Sequence, residues 1–190
     1  FTMTCFALGM MSKHRTQNCN ARYAEARVFW GDMVNESRAL SSRVLALVGT
    51  HPKDSEVAIA ASHVAKCIMT FSRALKYHVT VDGHVPGLEI RLDMTDAEVN
   101  KAKGEALRLE LASIWNYEDA AERAYVDRLL ATEVGSRPRH VLQEISEITA
   151  QVFMKPKEEG GAGLSPLHTD RIYRSVTRFQ DILGGCERIY

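Results

Sequence analysis

The chain has 190 residues, in which 24 Lys plus Arg balance 24 Asp plus Glu. That neutrality excludes a polyelectrolyte role, because no global field draws in nucleic acid or anionic lipid. A hydrophobic content of 45% beside 25% charged residues excludes disorder and allows one domain with a sizeable core.

Residues 1–11 carry no charge, after which Lys13-His14-Arg15 turns the chain polar. Residues 1–12 read as a helix, with Phe6 and Met10 four apart on one face and Thr2 one turn before them. Ordinary core packing is the bland explanation of that spacing. Lys13, His14, Arg15 and Arg22 precede the first acidic residue, Glu25. Such a local positive excess either attracts anions by Coulomb focusing or forms a rim facing water or lipid headgroups. From Asn20 to Val48, the spacing of Tyr23, Trp30, Val34, Val44, Leu45 and Val48 fits one long amphipathic helix. Gly49-Thr50-His51-Pro52 stops it. No run of about 20 apolar residues exists, so no complete spanning helix is expected, and residues 1–11 read as the end of one.

Asp54 or Ser55 caps the next helix, which runs to about Val79 through the small residues Ala58, Ala60 and Ala61. Thr80 to Asp93, with Gly83, Pro86 and Gly87, reads as a loop. Thr95-Asp96-Ala97-Glu98 is a capping box that opens a helix to about Ile114. Asn116 is expected to cap a short helix over 117–132 that ends near Gly135. Ser136-Arg137-Pro138 opens the next, with Val141, Ile145, Ile148 and Val152 as its buried stripe. Lys155 to Leu164 reads as a flexible glycine-rich loop. It lacks the GK[ST] and the preceding strand of a phosphate-cradling loop. Ser165-Pro166 opens a last helix whose stripe is Ile172, Val176, Phe179, Leu183, Cys186 and Tyr190. Gly184-Gly185 costs that helix about 1 kcal/mol per glycine and marks a close helix contact or backbone approach to a ligand. The fold class is all-α.

Cys5, Cys19, Cys67 and Cys186 form no CxxC pair and read as buried reduced thiols in a non-oxidising compartment. The histidines do not pair as HxxxH or HExxH, and neither GxSxG nor a di-iron EExxH pair is present. Glu144 and Glu147 share a helix face and read as solvated. The residues therefore point to no enzyme, no metal and no cofactor.

The run Phe1-Thr2-Met3-Thr4-Cys5-Phe6-Ala7-Leu8, followed by Arg15-Thr16, resembles the second membrane segment of bestrophin-family anion channels. The plant and algal thylakoid chloride channels and their bacterial and fungal relatives are the nearest in wording. Tyr23, Glu25-Ala26-Arg27, Trp30-Gly31 and Val34-Asn35-Glu36-Ser37-Arg38 continue the likeness. Arg137-Pro138 and Gly184-Gly185-Cys186-Glu187-Arg188-Ile189 extend it, so that residues 1–50 and 136–190 are covered. The chain departs from the family at Ser12, Lys13 and His14, where apolar residues are usual, at Gln17, where Asn is, and at Ala24, where an aromatic is. The resemblance implies a single domain over 1–190, a long-helix bundle of bestrophin type. Residues 1–12 would be the end of a pore-lining membrane helix and 13–190 a cytosolic or stromal bundle, together the interior portion of a longer chain.

The activity so implied is passive conduction of chloride, with bicarbonate as a second permeant ion, by a homopentamer around an axial pore. Thr2, Phe6 and Met10 would form its apolar neck, where a ring of Phe gates by dewetting. Lys13 and Arg15 would attract anions at the pore mouth. Arg139, or His140 one residue on, would line a second, cytosolic constriction; a surface arginine in a first helical turn is the bland reading. The implied partners are identical subunits and membrane lipid, with no nucleic acid. The implied location is a thylakoid or chloroplast membrane, with a plasma membrane as the alternative. The polar Ser12-Lys13-His14 and the missing membrane helices motivate a competing reading, a non-conducting helical scaffold or accessory subunit of a membrane complex.

Overall fold

The computed structural model describes residues 2–52, 55–80 and 94–189. Among them the chain forms α1 (Thr2–Thr50), α2 (Glu56–Val79), α3 (Asp96–Leu111), α4 (Ala120–Ala131), α5 (Arg137–Ile148) and α6 (Pro166–Ile189), with no strand. The fold is all-α, as expected of a bestrophin-type bundle. Phe1, Asp54, Tyr190 and the expected loop over 81–93 lie outside the described residues.

α1 is one uninterrupted helix that carries the uncharged residues 2–12 straight into the charged stretch. Lys and Arg are good helix formers, so the polar stretch continues the helix, and Thr16 returns its hydroxyl to the Ser12 carbonyl at 2.9 Å without breaking it. Its C-terminal half enters the core through Met33, Leu40 and Val44, with Phe29, Leu47 and Val48 half-buried beside them. Tyr23, Trp30 and Leu45, expected on this stripe, are exposed instead. The 3.6-residue period runs through Phe29, Met33, Leu40, Val44 and Leu47, which turns those three side chains to other faces.

α2 is the central element and packs against α1, α3, α5 and α6. Ser55 caps it, accepting the Ala58 N–H at 3.2 Å. Val57, Ala61, Val64, Ile68, Phe71 and Leu75 form its buried stripe, and Phe71 meets Phe179 of α6 with ring centroids 5.0 Å apart. The capping box of α3 is complete: the Thr95 N–H donates to Glu98 Oε2 at 2.8 Å, and the Glu98 N–H donates to Thr95 Oγ1 at 3.4 Å. Thr95→Ala is expected to remove about 1 kcal/mol of helix stability. Faster amide exchange confined to the first turn of α3 is the readout.

α4 is capped by Asp119 rather than Asn116. Asp119 Oδ1 accepts the N–H groups of Ala121 and Glu122 at 2.8 and 3.2 Å, while Asn116 folds into a turn by accepting the Glu118 N–H at 3.1 Å. In α5, Val141 and Ile145 are buried as expected, and so is Val152 beyond it. Ile148 is only half-buried, because the four-residue steps of the stripe run through Val141, Ile145 and the buried Thr149; a π-turn over Thr149–Phe153 follows.

The glycine-rich segment that follows is pinned rather than slack. Ala162 and Leu164 donate backward to the carbonyls of Val152 and Phe153 at 3.1 and 2.9 Å. Gly160 and Gly163 supply the positive φ, 85° and 58°, that lets the chain reverse. Along α6, Ile172, Val176, Phe179 and Leu183 are buried and Cys186 is half-buried. Gly185 lies directly on the Phe29 ring of α1 and leaves no room for a Cβ, whereas Gly184 faces open space. The close helix contact expected of the pair is therefore made by Gly185. Polar side chains extend the same seam: Arg43 donates to Ser175 Oγ at 2.7 Å, which donates to Glu36 at 2.5 Å, and Arg188 pairs with Glu25.

Candidate functional site

The N-terminal part of α1 runs free of the bundle. Met3, Phe6, Leu8, Met10 and Met11 stand 83%, 67%, 66%, 59% and 72% exposed, so the chain's own core takes in none of them. Phe6, Met10 and Lys13 line one strip with Cys5, Gly9 and Gln17. Arg15 lies on a different strip, with Leu8, Met11 and Asn18. Nine residues at about 100° each set Arg15 roughly opposite Phe6. The structure thus groups Phe6, Met10 and Lys13 on one strip and sets Arg15 across the helix from Phe6, with Met10 bordering both strips. The side chain of Thr2 lies outside what is described.

Near the point where the arm joins the bundle, Arg139 is exposed and donates to Glu187 of α6 at 3.1 Å. His78 Nε2 approaches the same Glu187 oxygen at 3.0 Å. His140 is half-buried, its ring 6.5 Å from that of Tyr125 and its Nε2 without a partner. Sequence reasoning missed Glu187 as the partner of Arg139, and His78 as the second group on that carboxylate. The signal lay in the Cys-Glu-Arg-Ile wording, which carries no hint of what the Glu holds. Arg188, next in that run, pairs with Glu25 of α1, so α6 ties the start of α5 to the point where α1 leaves the bundle. From Glu25 to Phe6 the helix rises about 28 Å.

The interior holds titratable groups but no usable nucleophile. The Cys67 thiol lies 3.5 Å from the Tyr125 hydroxyl, and burial pushes it up to about 12. Burial likewise raises Tyr125. His63 sits between the Trp115 and Tyr125 rings, with centroids at 4.9 and 5.0 Å, and its Nε2 is 3.3 Å from the Glu144 carboxylate. That approach is close enough for charge but poorly aligned as a hydrogen bond. Glu144, read from sequence as solvated, is half-buried; Glu147 is exposed and accepts from Gln143 at 2.8 Å. Cys5 and Cys19 are exposed free thiols, contrary to the expectation that all four cysteines are buried. Among the described residues no cluster of His, Cys, Asp or Glu could hold a metal ion, and no helix is long and apolar enough to cross a membrane.

The His63 imidazole beside Glu144 holds its carboxyl below the ordinary value of 4.5, against burial, which raises it. A depressed carboxyl contributes stability that is complete above about pH 4.5 and lost as pH falls through the lowered value. Glu144→Gln should therefore unfold at lower denaturant than the parent at neutral pH. The two midpoints should converge as the carboxylate range is crossed.

A family model described as bacterial/fungal bestrophin protein matches residues 1–190, including the middle that the wording of the sequence left unassigned. No curated protein and no solved structure matches the chain. The match runs from the exposed apolar arm through the last turn of α6, and on that extent the chain belongs to the bacterial and fungal bestrophins, a family of membrane anion channels.

Proposed function

We propose that the protein is a subunit of a homopentameric channel that conducts chloride, and bicarbonate as a second ion, through an axial pore with Thr2, Phe6 and Met10 at its neck. The observation that carries this reading is the apolar arm of α1, whose large side chains the chain's own fold leaves exposed. Apolar area gains about 25 cal/mol per Å² on leaving water, so a contiguous run of this kind calls for identical subunits or lipid around it. A narrow apolar ring passes weakly hydrated anions more readily than strongly hydrated ions, and it gates by dewetting. Lys13, on the strip of Phe6 and Met10, and Arg15, across the helix, add positive potential at the mouth.

Arg139, with His140 beside it, forms the second constriction in this reading. Its pairing with Glu187 lowers the mutual repulsion that five bare guanidinium groups would otherwise carry. The channel works without a cofactor. The wording of residues 1–8 favours a thylakoid or chloroplast membrane, while a plasma membrane suits the bacterial and fungal relationship.

A second reading, a non-conducting scaffold or accessory subunit of a membrane complex, draws on one observation: no described helix is long and apolar enough to cross a membrane. Anion flux from liposomes holding the full-length protein separates the two. Chloride efflux supports the channel. A folded, membrane-inserted oligomer without efflux leaves the scaffold.

A further inference from the structure

Arg137 is 2% exposed and leads the fully buried side chains by volume. Its Nε and Nη2 donate to the carbonyls of Thr132 and Leu130, both at 3.0 Å, and so close the open end of α4. Its Nη1 is buried without a partner. Burial lowers its pKa, and no carboxylate offsets that effect. An arginine serving only as a cap for α4 has no reason to bury its remaining N–H groups, because an unpaired buried donor on a charged group is costly.

The surroundings complete a site. Arg137 forms the inner wall of a cleft of about 360 Å³, lined also by Asn100, Lys101, Gly104, Glu105 and Arg108. Gly104 lets α3 come up against the guanidinium edge that faces the cleft: a Cβ there would stand 3.1 Å from Nη2 and 3.7 Å from Nη1. Asn100 Oδ1 accepts the Val134 N–H at 3.0 Å, so what remains of its side chain is the N–H donor pair. Lys101 is exposed on the rim, while Arg108 is engaged by Asp127. The exposed Glu105 is the one carboxylate among the lining residues and competes with any incoming anion.

We infer that this cleft binds a free oxyanion, a phosphate or carboxylate group, on Arg137, with Asn100 and Lys101 as further donors. The planar guanidinium edge matches two oxygens of such a group better than it matches a spherical halide. The site is separate from Phe6 and Met10, and its occupancy ties α3 to the turn that launches α5, two residues before Arg139.

Thermal unfolding of the full-length oligomer in a phosphate-free detergent tests the assignment, with inorganic phosphate as the probe and chloride at matched ionic strength as the comparison. The expected result is a saturable rise in Tm with phosphate and no comparable rise with chloride. Lys101→Gln, on the rim, should weaken the apparent affinity several-fold. Glu105→Gln should tighten it by removing the competing carboxylate, and Gly104→Ala should weaken it by crowding the guanidinium. The inference is overturned by a wild type without a saturable shift or by an equal shift with chloride. A phosphate response that is unchanged in both Lys101→Gln and Gly104→Ala overturns it as well.

Discussion

Phe6→Ala in the full-length channel is expected to raise chloride conductance by about tenfold, equivalent to lowering the barrier at the neck by ~1.4 kcal/mol. The ring is 67% exposed on a helix that its own bundle does not cover, so the substitution removes no intramolecular packing. In the proposed pore its effect falls on the width and wetting of a shared constriction. A truncated side chain widens the neck and lets water fill it, and an anion then crosses with more of its shell intact. Planar-bilayer recording with chloride on both sides measures this directly. Conductance and gating identical to the wild type would remove Phe6 from the neck, and the assignment of Met10 on the same strip would fall with it.

The same substitution in the bundle should act in the opposite way. Phe71→Ala is expected to cost 3–5 kcal/mol or about that, within the range for emptying a buried aromatic site. Phe71 is fully buried at the middle of α2 and packs its ring on Phe179 of α6. Against a total stability of about 5–15 kcal/mol, the loss leaves a marginal bundle. A lower denaturant midpoint, with conductance unchanged in those channels that remain folded, is the expected pattern. A loss below about 1 kcal/mol would mean that α2 and α6 close over the cavity left beside Phe179.

Local rules were legible in the sequence where one residue's chemistry decides the outcome. Thr95 and Glu98 meet at fixed spacing, and the capping box they announced is complete. Ser55, one of the two caps the sequence offered for α2 beside Asp54, is the one that caps it. Asn116 and Asp119 are both good caps three residues apart, and the choice between them follows from which one the turn before α4 consumes. The face of α1 was misplaced because Tyr23, Trp30 and Leu45 are apolar enough for a core, yet the core takes the strip through Met33, Leu40 and Val44. An apolar pattern states that a helix has a sticky side and leaves open which neighbour meets it. Gly185 against Phe29 was readable as a close contact without a partner's name. The ion pair of Arg139 and Glu187 joins residues far apart in sequence, so no periodicity could announce it. The candidate neck came from family wording; the structure adds that Phe6, Met10 and Lys13 share a strip and that Arg15 does not.

The unbroken 49 residues of α1 have a mechanical consequence. A helix without a hinge acts as a stiff boom, clamped to the bundle from about Glu25 onward and free beyond it. A tilt of about two degrees at Glu25 carries the Phe6 ring sideways by about 1 Å over the ~28 Å between them. Whatever loosens the clamp, whether the Arg188 pairing with Glu25 or the seat of Gly185 on Phe29, is thereby magnified at the far tip. A displacement too small to disturb the packing of the bundle would be enough, in the proposed pore, to change the clearance between neighbouring rings.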